Sequence, residues 1–145
     1  GPSSRLFQSL VKDENLFSDI NAFISGDMDP GLFTVTGRLM PGVPMAKAET
    51  AIWEQLQRIG NEGLAERELQ KVKNKIESNL VFSEISFLNK AMNMAQYELM
   101  GDANEINKEI DYYRAVSTGE LQEAARQIFS RTNSCTLHYL SGGEQ

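Results

Sequence analysis

The sequence holds one cysteine, one histidine, one tryptophan and four prolines in 145 residues. A single thiol excludes an internal disulfide, and it excludes zinc clusters built from several sulfurs at fixed spacing. The lone imidazole, His138, leaves any zinc site in this chain to be made mostly of carboxylates, against the usual preference for histidine. Positive charge is scarce as well. Fourteen Lys and Arg against 20 Asp and Glu give a net charge of −6, the wrong sign for a surface that neutralises phosphates, so nucleic acid is not an expected partner. No apolar run approaches the roughly 18–20 residues of a membrane span, and no charged-then-apolar leader opens the chain. Gly-x-Ser-x-Gly, Gly-x-Gly-x-x-Gly and Walker patterns are missing too. No catalytic, cofactor-binding or metal-ligating residue is therefore assigned within this chain.

What is present reads as one domain over residues 1–145, long enough for a single buried core. Gly1-Pro2 has the form of a protease-cleavage remnant. From Ser3 to Asp13 a short helix is predicted, with Ser3 or Ser4 as its cap and Leu6, Phe7, Leu10 and Val11 on its apolar face. Two strand-like runs follow, Leu16–Ser25 and Leu32–Leu39. In the second, Phe33, Val35, Gly37 and Leu39 alternate with polar residues. The turn-rich Gly26–Gly31 segment between them makes the pair an antiparallel hairpin with a long loop.

Pro44 suits a first helical turn, and Ala48, Ile52, Leu56 and Ile59 continue at helical spacing with Trp53 beside the stripe, until Gly60 and Gly63 bracket the stop. A second helix from near Glu66 carries Leu69, Val72, Ile76 and Leu80. It continues, with a break near Ser83–Ser86, through Leu88, Ala91, Ala95 and Leu99 to Gly101-Asp102. A short helix from Asn104 bears Ile106, Ile110 and Tyr113. Ser117 and Glu120 then stand at capping-box spacing, flanked by Val116 and Leu121 as a hydrophobic staple. The helix they open buries Leu121, Ala124, Ala125, Ile128 and Phe129. A final strand, Cys135–Leu140, is expected to bury Cys135, with His138 as a structural or surface imidazole.

Other clusters carry structural readings. Glu66, Arg67, Glu68, Lys71, Lys73, Lys75 and Glu77 mark a solvated helix face, and Met92, Met94 and Met100 near Phe87 and Tyr97 are expected to pack in the core or along its flank. The hairpin edge could accept an extended peptide by main-chain pairing. Together these elements make an α+β domain: an antiparallel sheet with helices packed on one face. Three strands are few for so many amphipathic helices, so the domain lacks its first strands or another chain completes its sheet.

Ser3-Ser4-Arg5-Leu6-Phe7-Gln8-Ser9-Leu10, followed by Leu16-Phe17-Ser18-Asp19-Ile20, resembles the opening block of the C-terminal domain of insulinase-like zinc metallopeptidases. This pitrilysin or inverzincin group includes the processing peptidases. The resemblance continues through Gly31-Leu32-Phe33, Pro41-Gly42-Val43, Gly63-Leu64-Ala65-Glu66-Arg67-Glu68-Leu69, Lys73-Asn74, Tyr97–Asp102, Asn107 and Arg114-Ala115-Val116-Ser117. It implies a two-layer α/β domain of a zinc-dependent metalloendopeptidase. The family's His-x-x-Glu-His zinc motif belongs to a separate N-terminal domain and is absent here. This chain alone is thus expected to be inactive and without a cofactor, while zinc is expected in the N-terminal domain of the parent protein.

The implied role is to help form the substrate chamber and hold extended peptide, with a zinc-bearing domain or second family half as partner. The alternative role is a non-peptidase assembly module, as in core subunits of respiratory complexes. Val11 and Ser18 stand where some family halves carry a substrate-binding arginine and tyrosine, and Ala65 stands where a capping Ser or Thr is common. The chain is expected to be soluble, in bacterial cytoplasm or periplasm.

Overall fold

Leu6, Phe7, Leu10 and Val11 form one stripe, and the packing converges on Leu10, which has no solvent exposure. The computed structural model describes residues 3–25 and 29–140, so Gly1-Pro2, part of the expected hairpin turn (26–28) and the tail 141–145 lie outside the described residues. These residues fall into two units. One runs to Asn61 and resumes at Ala125, and the other spans Glu62–Ala124.

In the first unit the opening helix is π-helical over Phe7–Asp13. The Glu14 amide donates to the Ser9 carbonyl at 2.9 Å, one residue further back than an α-helix would reach. Ser4 precedes the helical turn at Arg5-Leu6 that leads into this segment, its hydroxyl accepting from the Phe7 amide at 3.4 Å, while the π-helical stretch itself has no side-chain cap. Strands β1 (Phe17–Ser25) and β2 (Leu32–Leu39) pair antiparallel, as the alternation predicts. A bulge between Phe17 and Asp19 leaves Ser18 as the extra residue. Helix α1 (Met45–Glu62) then lays Ala48, Ala51 and Ile52 against Leu10, Leu16, Phe17 and Ile20. Gln55 Nε2 donates to the Ser9 hydroxyl at 2.8 Å, tying α1 to the opening helix.

α1 stops at Glu62, between Gly60 and Gly63 as expected, and one other sequence expectation in this unit is corrected. Gly60 is buried in the last turn, where its carbonyl accepts a 2.7 Å bond from Arg126 Nε. A Cβ at Gly60 would come within 3.1 Å of that side chain. The terminator is Gly63, whose φ of +74° suits glycine. Cys135–Leu140 is not a strand, because the described sheet is β1–β2 alone and these residues pair with neither. A period-two pattern makes a strand only if an edge lies within one strand spacing.

In the second unit, α2 (Glu66–Ser83) and α3 (Phe87–Met100) are separated at Ser83–Ser86, where the break is predicted. Ser86 caps α3, accepting from the Asn89 amide at 3.3 Å. A 3-10 turn (Ala103–Asn107) leads into α4 (Glu109–Ala115). The Arg114 guanidinium pairs with Glu77, and Lys73 Nζ donates to the Arg114 carbonyl at 2.8 Å, which fastens α4 to α2. Lys73 and Glu77 are thus fasteners and not merely part of a solvated face. The capping box forms at the start of α5 (Thr118–Ile128). Glu120 N donates to Ser117 Oγ at 3.2 Å, and Ser117 N donates to Glu120 Oε2 at 2.8 Å.

The expected α3 stripe does not become core. No α3 residue is buried, and Met92, Met94 and Met100 are exposed, because nothing among the described residues packs over that face.

Candidate functional site: a groove beside the sheet

The first unit carries an open groove of about 660 Å³. Its floor is the face of α1 carrying Ala48, Ile52 and Leu56, one wall is β2, and the other wall is the segment Asn133–Tyr139. The β2 residues at the groove include Phe33, Val35 and Leu39, the apolar face predicted from alternation. Phe33 meets Phe129 edge-to-face at 4.9 Å between ring centres, closing the floor at one end.

A polar brace holds the outer wall to α1. Glu49 Oε1 accepts from Arg131 at 3.4 Å, and Glu49 Oε2 lies 3.2 Å from His138 Nε2. The Arg131 guanidinium also sits 5.2 Å from the centre of the Trp53 ring, a cation–π placement. Because these groups are partly exposed, the brace positions the segment more than it stabilises the fold. Residues 131 and 138 lie 82 and 89 positions from Glu49, and no local spacing links them, so sequence reading missed the set.

The structure scatters the other singled-out residues. Cys135 lines the groove but is exposed rather than buried, since no strand pairing covers it. Val11 is half-buried against the core. The Ser18 hydroxyl donates to the Arg38 carbonyl at 3.2 Å and serves the bulge. Ala65 occupies the N-cap of α2 with no side-chain hydrogen bond, as its identity dictates.

In the second unit, burial pushes the Tyr97 phenol up to about 12, helped by its hydrogen bond to Glu109. Glu105 is held below the ordinary carboxylate range by its hydrogen bond with Lys108 and then by that from Tyr112. These are packing contacts among α3, the 3-10 turn and α4.

The donor set does not fit a zinc ion. Among the described residues no three His, Cys, Asp or Glu side chains converge. Among the described residues His138 pairs with the carboxylate of Glu49, which Arg131 already engages. Among the described residues no helix is long and apolar enough to cross a membrane.

The chain resembles known proteins in sequence and in fold. The chain is 28% identical over 141 residues to the uncharacterized zinc protease YmxG of Bacillus subtilis (strain 168), covering 97% of this chain and 34% of that protein. It therefore spans about a third of the length of this curated relative. Three solved structures share the fold. A protein from Bordetella pertussis Tohama I assigned as a zinc protease superposes with a TM-score of 0.79 at 24% identity, over 92% of this chain and 72% of that one. The inactive peptidase domain of a Bordetella parapertussis protein with the same assignment gives 0.80 at 23%, over 91% and 70%. A Helicobacter pylori protease gives 0.82 at 20%, over 92% and 32%. The family model described as the Peptidase M16 inactive domain matches residues 1–76, more than half of the chain, and the protein belongs to that family.

Proposed function

We propose that this chain is a non-catalytic domain of a zinc-dependent metallopeptidase, closing a chamber with a zinc-bearing partner domain and holding extended peptide there. In this reading residues 1–145 are part of a single C-terminal domain and the zinc belongs to the partner. The family match over residues 1–76 carries the proposal. The absence of a converging donor set among the described residues supports placing the chemistry elsewhere.

Reconstitution tests it. The zinc-bearing domain of the parent protein is assayed on unstructured peptides with and without this chain, over a range of peptide concentrations. Cleavage is expected only with both present, and the chain alone is expected to cleave nothing. Equal kcat/KM with and without the chain would sink the proposal.

A further inference from the structure

Helix α3 carries an apolar seam that is left open among the described residues. Leu88, Met92, Ala95 and Leu99 follow one another at spacings of four, three and four, the 3.5-residue repeat by which one helix packs along another. At about 100° of turn per residue, all four fall within an arc of about 60°. Leu88, Met92 and Leu99 are 69%, 62% and 74% exposed, and Ala95 is exposed as well. Tyr97 lies on the opposite side of α3 and bonds to Glu109 of α4, so that side faces the unit and the seam faces away from it. Phe87 stands about a third of a turn away, off the seam.

The seam is complementary to itself. Laid antiparallel against a copy of α3, Leu88 meets Leu99 and Met92 meets Ala95, each layer occurring twice about a central two-fold axis. The long, adaptable methionine covers the small alanine, so the middle layers fill without a void. The flanks are Asn89, Ala91, Gln96 and Glu98. Antiparallel docking puts Asn89 of each copy opposite Gln96 of the other, amide to amide, and Glu98 opposite Ala91. No like charges meet, which matters for two copies of a chain of net charge −6. Lys90 is on the far side of the helix, paired with Glu84. Antiparallel order also sets the two helix dipoles against one another favourably. We propose that two copies of this chain form a closed, symmetric dimer through the Leu88–Leu99 seam of α3, packed antiparallel. About 400 Å² of apolar side chain per copy leaves water, the scale of a weak and reversible contact. The inference stands apart from the peptidase reading, since it uses no residue of the groove and needs no zinc.

Sedimentation equilibrium on the 145-residue chain, over about a hundredfold range of concentration, is expected to show monomer and dimer in exchange, with the mass levelling at two copies. Ala95→Arg carries an unpaired charge into the seam and is expected to weaken association at least about tenfold, whereas Ala95→Ser leaves it nearly unchanged. Ala95 is exposed in the single copy, so circular dichroism of both variants is expected to match the parent chain. Cross-linking reads the register. Asn89→Cys and Gln96→Cys chains, each also Cys135→Ser, are mixed and treated with a short bismaleimide, and mixed pairs are expected to outnumber like pairs. A chain that stays monomeric at every concentration overturns the proposal. So does a dimer indifferent to Ala95→Arg, a majority of like pairs between Asn89→Cys chains, or a mass that climbs past two copies. In the longer natural polypeptide the same Ala95→Arg change is expected to weaken self-association. No effect there overturns the proposal too, since another part of that polypeptide would then be the occupant.

Discussion

At the scale of single residues, Gly37 illustrates how the sheet and core constrain one another. It sits on β2 opposite Ile20, and the Phe17 ring lies over it so closely that an added Cβ would stand 2.7 Å from two ring carbons. Phe17 is only 3% exposed and cannot swing away without opening the core around Leu10. Gly37→Ala is therefore expected to destabilise the chain by about 1–3 kcal/mol, the usual cost of overpacking. Equilibrium denaturation checks it, and a neutral result would mean that Phe17 repacks freely. The alternation of β2 places Gly37 on the inward face, but the sequence does not show that an aromatic ring lies on it. That fact comes from the β1 bulge at Ser18, which shifts the register between Phe17 and Asp19.

At the scale of elements, helix ends were the most legible feature because their chemistry is local. The Ser117–Glu120 box and the Ser83–Ser86 break are read from four-residue windows and form where expected. Cys135–Leu140 and the α3 stripe misled for the opposite reason. A strand or an apolar face is completed by residues far away in the chain, and no local window reports whether they are there.

Two tests belong at this scale. The α2 N-cap is Ala65 in an extended conformation, so a hydroxyl could bond to an open amide of the first turn. Ala65→Ser is expected to stabilise the chain by about 0.5–1 kcal/mol, seen as a higher denaturation midpoint at unchanged slope. At α5, the main-chain amide of Ser117 and then its hydroxyl hold the Glu120 carboxyl below its ordinary 4.5. A lowered folded-state pKa means the stabilisation is complete above the unfolded value and disappears as pH falls through the folded one. Glu120→Gln is thus expected to lower Tm at pH 7, with the difference from the parent chain shrinking as pH falls below 4.5 and through the lowered folded-state value (a constant difference on acidification would contradict it).

At the scale of the whole molecule, the second unit displays much apolar surface from the end of α2 through α3. Phe82 is 70% exposed and Phe87 is 89% exposed, with Ile85 and Leu88 beside them. Patches of this kind are unusual on a soluble monomer and are ordinarily covered. The isolated chain is expected to bind a hydrophobic dye in its native state and to lose most of that signal in a Phe82→Ser/Phe87→Ser variant. Undiminished dye binding in a folded variant would show that the signal arises elsewhere. Family and fold class were readable from the ordered motifs between Ser3 and Ser117, while the groove and its Glu49 brace were not, since they join residues from opposite ends of the chain.

The main core cluster, with the residues packed on it, is drawn wholly from Leu6 to Ile52. Everything needed for that nucleus is therefore present before α2 has been synthesised. The opening helix, hairpin and α1 can collapse over short sequence separations, at little loop-closure cost. The return of Arg131 and His138 to Glu49 must close a far longer loop and is placed last. Pulse-labelled exchange during refolding should accordingly protect β1, β2 and α1 before the amides around Arg131. The reverse order would show that the end of the chain, and not its beginning, directs assembly.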